Sequence, residues 1–190
     1  MARLIRLAPD IPFPPYSFVP GRSPHPVSDP AGQQYGVTPA PVRPIDPANW
    51  HQSRDYLRAL DLFNHGYYWE AHEAWEGLWH AAGRTGLLAD FLKGLIKLAA
   101  AGVKVREGKP RGVASHAGKA AVLFAHVAGA LGGDRFLGLA PADLADFARR
   151  VGADAATLRA ERDAPVVVVF DFVLSPGGGG AGLSADAGIQ

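Results

Sequence analysis

A chain of 190 residues, 48% of them apolar, is long enough to bury one ordinary core, so one domain is expected and global disorder is excluded. Lys+Arg 19 against Asp+Glu 18 leaves a net charge of +1, which gives no generic pull toward nucleic acid or an anionic membrane surface. Cysteine is absent, so disulfides, thiolate metal sites and Cys nucleophiles are excluded.

Residues Met1 to Pro15 hold two arginines but no long apolar core before a small-residue cleavage site, so no signal peptide is expected. No stretch approaches the roughly 18 uninterrupted apolar residues of a membrane span. Together with the lack of cysteine this suits a cytoplasmic protein. Prolines cluster from Pro9 to Pro47, and proline lacks a backbone N–H and has a locked φ. Residues 1–45 should therefore form an extended or irregular arm. Phe13, Tyr16, Phe18 and Tyr35 give it something to bury, so an arm wrapped on the domain surface is expected.

The next segment, 46–162, reads as an all-α domain. Asp46-Pro47 offers an N-cap followed by proline at the first helical position. Trp50, Tyr56, Leu57, Leu60 and Phe63 recur at helical spacing until Gly66. A second helix spans about Tyr67 to Ala81. A third, largely apolar, spans Gly86 to Glu107, with Thr85 as its cap and Gly108 as its stop. A fourth runs from Pro110 to about Leu131, a fifth from Pro141 to about Val151, and a short sixth from Asp154 to about Arg162. Short loops make the first four antiparallel neighbours, which predicts an antiparallel bundle of five to six helices. Residues 163–175 include the β-branched run Pro165 to Val173, a strand or extended segment that either pairs with Leu4-Ile5-Arg6-Leu7 or lies alone across the bundle. Residues 176–190, with four consecutive glycines, read as a disordered tail.

The second helix carries the unusual chemistry. At 100° per residue, Ala71, Ala74, Trp75 and Leu78 fall on one side. His72, Glu76, Trp69, His80 and Glu73 fall within an arc of about 100° on the other, with Trp79 at its margin. An ordinary solvent face would be rich in Lys, Glu and Arg. This one has imidazoles, carboxylates and indoles, and tryptophan is costly to leave in water, so another element should half-cover it. His72 and Glu76 at i, i+4 can hydrogen-bond, chelate a metal with Glu73 or His80, or act as an acid/base pair. The zincin pattern His-Glu-x-x-His is incomplete, because Glu stands at position 76.

In the third helix Lys93, Lys97 and Lys104 share the one polar stripe of a buried element. Either they snorkel to solvent, or Lys93 or Lys97 pairs with Glu73 or Glu76. His116 lies in line with Ala120, Leu123 and Val127 of the fourth helix and is a candidate for the same network. No phosphate-binding glycine loop, serine elbow or basic-aromatic RNA pattern occurs.

Two segments carry a family resemblance. The first is Phe63-Asn64-His65-Gly66-Tyr67-Tyr68-Trp69-Glu70-Ala71-His72-Glu73-Ala74-Trp75-Glu76-Gly77-Leu78-Trp79. The second is Leu92-Lys93-Gly94-Leu95-Ile96-Lys97-Leu98-Ala99-Ala100, with Gly108 and Gly112-Val113 following. Over roughly residues 50–130 they resemble the bacterial and archaeal "domain of unknown function 309" family. That family's pattern is an aromatic-Glu-x-His-Glu-x-x-Glu-x-x-Trp helix, then a Gln-Gly-Leu-Ile-Gln helix and a Gly-x-x-x-Gly-Ala turn. The resemblance implies a small all-helical bundle with no established activity. His72, Glu73, Glu76 and Trp79 match its signature. Lys93 and Lys97 stand where the family often has glutamine, and Lys104 where many members have histidine, which removes a metal ligand and suits charge pairing instead.

Three functions stay open. The first is a binding or interaction module whose polar pocket of His72, Glu73, Glu76, Trp79, Lys93, Lys97 and His116 takes a small molecule or a protein. The second is a metal-assisted hydrolase or other small-molecule enzyme using His72, Glu73 and Glu76. The third is a structural network with no ligand, function then resting on a homo-oligomer surface. No cofactor is assigned; a divalent metal, with His72 and Glu76 as candidate ligands, is the alternative. Neither nucleic acid nor membrane is expected as a partner.

Overall fold

The first helix begins later than the Asp46-Pro47 pair suggests. In the computed structural model, which describes residues 4–161 and 163–177, Asp46 does act as a cap, accepting from the Ala48 N–H at 3.0 Å. It starts only a 3-10 turn, Pro47–Gln52, within which Asn49 leaves helical geometry (φ −120°, ψ 31°). Ser53 is extended and becomes a second N-cap, its hydroxyl 3.4 Å from the Tyr56 N–H, and α1 spans Arg54–Asn64. Two side chains that prefer caps to helix interiors thus split one expected helix into two elements.

The next four helices fall within two residues of expectation: α2 (Tyr68–Ala81), α3 (Gly86–Glu107), α4 (Pro110–Ala130) and α5 (Pro141–Ala153). Gly108 ends α3 in the left-handed region (φ 72°), where a side chain would be strained, and the Lys109 N–H returns to the Lys104 carbonyl at 2.9 Å. The expected sixth helix shrinks to a 3-10 turn, Asp154–Ala156. The Thr157 N–H and hydroxyl and the Leu158 N–H all converge on the Asp154 carbonyl, which closes the turn, and the chain then runs extended.

Each helix packs against the next, α1 on α2, α2 on α3, α3 on α4 and α4 on α5, so α3 sits between α2 and α4. Trp75, Tyr56, Tyr68, Phe63, Phe91 and Phe124 are the largest side chains fully removed from water. Two glycines of α3 let rings press onto its backbone. A Cβ at Gly94 would stand 2.6 Å from the Phe124 ring, and one at Gly102 would stand 2.6 Å from the Tyr68 ring.

Both terminal segments are fastened to the side of the bundle that α1 and the start of α2 present. The C-terminal run is extended, as expected, but among the described residues it forms no strand and does not pair with residues 4–7. Side chains hold its backbone instead. The Tyr68 hydroxyl accepts the Val169 N–H at 2.9 Å, and Asn64 both donates to and accepts from Leu174. Gly66 (φ 87°) lies so close to the Val167 carbonyl that a Cβ there would meet it at 2.6 Å. The N-terminal arm is fixed by two buried carboxylates. Asp61 accepts the Leu7 and Ala8 N–H groups, each at 2.8 Å, and Glu70 accepts the Phe18 N–H at 2.8 Å and the Ser17 hydroxyl at 3.0 Å. Phe13 stacks on Tyr67 at 4.8 Å, but Tyr35, expected among the arm's buried aromatics, is exposed. Residues 178–190 of the glycine-rich tail lie outside the described residues.

Candidate functional site around the second helix

Two sides of α2 are spoken for. Tyr68, Ala71, Trp75 and Leu78 are buried in the core. The arm crosses the outer side, where Phe18 and His25 meet Trp69 edge-on at 5.2 and 5.6 Å and the Val42 side chain lies against Gly77. The two flanking indoles of the polar arc therefore part company. Trp69 is covered by the arm, while Trp79 lies beside His80 (5.1 Å), with the Lys93 ammonium 5.7 Å from its ring centroid.

What is left open is the strip of His72, Glu73, Glu76 and His80. One ligand atom each from His72, Glu73 and Glu76 lies within 4.8 Å of the others. His72 bonds its chain neighbour rather than the residue one turn on: its Nδ1 is 3.2 Å from Glu73 Oε1. Both side chains keep contact with water, at 26% and 47% exposure, so this is not a sealed network. One imidazole and two carboxylates converging on an accessible point is a donor set that suits a borderline divalent cation, with coordination positions left over for water or a ligand.

Of the two readings of the α3 lysines, the pairing with the α2 glutamates does not occur: among the described residues no ion pair joins Lys93 or Lys97 to Glu73 or Glu76. Lys93 is exposed and lies over Trp79, and both lysines line the groove between α3 and α4 instead. Lys104 reaches along its own helix to Glu107 (2.6 Å), which Lys109 also meets at 2.5 Å. Burial works to raise the Glu107 pKa, but these two lysines outweigh it and hold the carboxyl below its usual range.

His116 of α4 is half-buried, and its Nδ1 has no hydrogen-bond partner. Its pKa is lowered first by burial, then by Lys97, Lys104, Lys119 and His72, so the ring is neutral at pH 7. The sequence-named residues fall into separate groups: His72, Glu73 and Glu76 together on α2; Lys93 and Lys97 along the α3–α4 groove, with Lys93 also over Trp79; and His116 half-buried on α4 outside the residues that line that groove.

Sequence reasoning passed over the buried polar side chains on the far side. Burial pushes the Glu70 carboxyl above the usual carboxylate range, against the hydrogen bonds from Phe18, Ser17 and Gln33. Arg106 is buried and donates through one nitrogen to the Ala164 carbonyl at 2.7 Å. Asp61 and Asn64 did carry a signal, since they interrupt the apolar run Leu60 to Phe63 and its continuation at positions that must face the interior.

Residues 56–116, from α1 into α4, match the model of a family described as a domain of unknown function, DUF309. The resemblance read from the α2 and α3 motifs holds over that stretch. Neither the curated proteins nor the solved structures provide a match to the chain.

Proposed function

We propose that this helical domain is a binding module whose site is the open strip of α2, where His72, Glu73 and Glu76 hold a divalent cation that in turn presents open positions to a ligand. The observation that carries the reading is the convergence of their three ligand atoms within 4.8 Å on a water-accessible helix face. The spacing supports it physically. His72 and Glu76 are one turn apart and project to the same side, and Glu73 follows directly on. Among the described residues no lysine pairs with these carboxylates, which leaves them available to a cation.

Calorimetric titration of the full chain with Zn²⁺ or Mn²⁺ tests this. One stoichiometric site is expected, with affinity falling at least about tenfold, or roughly 1.4 kcal/mol, in His72→Ala and in Glu76→Gln. Equal binding by the variants, or no binding by the wild type, would overturn it. Unfolding in urea serves as the control. Among the described residues Glu76 forms no ion pair, so Glu76→Gln should change stability by less than about 0.5 kcal/mol, and any lost affinity then belongs to the site.

A further inference from the structure

On the other side of α3 lies a second feature that the cation strip does not use. Lys93 and Lys97 of α3 and Lys119 of α4 rim an open groove of about 580 Å³ between the two helices. Its floor is apolar. Ala114, Gly118 and Leu123 contribute to it, and Val122 stands 71% exposed within it. A Cβ built at Gly118 would meet nothing within 4 Å, so the surface there is open and free of overlying side chains. Ser115 adds a hydroxyl at the same level.

The charges in this groove are unbalanced. Among the described residues none of the three lysines forms an ion pair. The acids that could have served them are otherwise engaged or turned away: Asp90 lies 3.6 Å from His126, and Glu107 is shared by Lys104 and Lys109. Burial is the main cause of the lowered His116 pKa, and Lys97 and Lys119 of the groove lower it further, together with Lys104 and His72. Three lysines line one largely apolar groove on a protein whose overall charge is only +1.

We propose that the α3–α4 groove binds a small amphipathic carboxylate, an alkanoate of medium chain length, with its head among Lys93, Lys97 and Lys119 and its chain along Val122, Leu123 and Gly118. The volume falls in the range of small-molecule sites, and ammonium groups serve as point-charge partners for a carboxylate head. A second copy of the chain would need a matching acidic and apolar surface. A free inorganic anion would leave the apolar floor in water. The alkanoate satisfies both halves at once.

Backbone amide shifts of the full chain, followed during titration with decanoate in the presence of a chelator, test the assignment. Perturbations are expected on α3 and α4 around Lys97, Gly118 and Val122. Binding should weaken about tenfold in the double variant Lys97→Met/Lys119→Met. Val122→Glu, at a position exposed enough to leave the fold intact, should weaken it comparably. Decanol and inorganic phosphate, which carry one half of the ligand each, should bind at least tenfold more weakly than decanoate. Equal affinity for decanol, unchanged binding in the variants, perturbations confined to another face, concentration-dependent dimerisation in place of saturable binding, or binding only when metal is added would each overturn it. The chelator makes this outcome independent of the cation strip, so failure of either proposal leaves the other standing.

Discussion

Asn64, the last residue of α1, closes two hydrogen bonds on the backbone of Leu174: its side-chain amide donates to the Leu174 carbonyl at 3.0 Å and its carbonyl oxygen accepts the Leu174 N–H at 2.8 Å. Both residues are buried. An asparagine side chain here does what a neighbouring strand would do, which is why the C-terminal run can lie extended across helices without a sheet partner.

Replacing Asn64 by Ala removes both bonds and strands two buried backbone groups. Stability should fall by about 3 kcal/mol. Limited proteolysis should then cut between Pro165 and Leu174, a segment the wild type protects. Urea unfolding and mass spectrometry of the fragments check the two effects separately.

Glu70 should make stability depend on pH in a direction opposite to most carboxylates. Its pKa is raised in the folded protein, chiefly by burial, from an ordinary value near 4.5. The contribution to stability is therefore complete below that ordinary value and is lost as pH rises through the raised one. In Glu70→Gln this loss should vanish. The difference between wild-type and variant unfolding free energies, measured from pH 4 to 8, should change in the variant's favour as pH rises. A flat difference would contradict the assignment.

The lowered pKa of His116 has burial as its first cause and neighbouring positive charge as its second. The groups that bear on it are Lys97, Lys104 and Lys119, on α3 and α4, and His72 on α2. Replacing Lys97 by Met should move the His116 titration, followed by its ring proton resonances, upward toward 6.5. Because the folded pKa is depressed, protonation costs stability as pH falls through 6.5, and that acid-side loss should be smaller in the variant.

Two glycine substitutions separate packing from propensity. Gly118→Ala meets open space in a helix interior and should stabilise by roughly 0.5–1 kcal/mol. Gly102→Ala gains the same propensity but drives a methyl into the Tyr68 ring, which is wedged between Phe63 and Phe170. It should lose roughly 1–2 kcal/mol net. Thermal unfolding of both variants gives the comparison.

The helix starts at Pro110 and Pro141, the stops at Gly83 and Gly108, and the convergence of His72, Glu73 and Glu76 were legible because each depends on spacing within one helix. The split at Ser53 was less legible, since a serine in a periodic run can be tolerated or can cap. Geometry between elements was not legible at all. Lys97 could have reached Glu76 or the opposite groove, and only the placement of α4 beside α3 sends it to the groove.

The sequence by itself therefore determined the all-helical class, the order and near-boundaries of α2 to α5, and which side chains share the polar strip of α2, because helical periodicity and capping are local. The tertiary structure alone decided that Glu70, Asp61 and Asn64 bind the two terminal segments, that the arm covers Trp69 while Lys93 lies over Trp79, and that among the described residues Lys93 and Lys97 of α3 form no ion pair while Lys104 pairs with Glu107. Those outcomes depend on which backbone groups and charges meet across long sequence separations, and burial there turns an ordinary carboxylate or amide into a clamp.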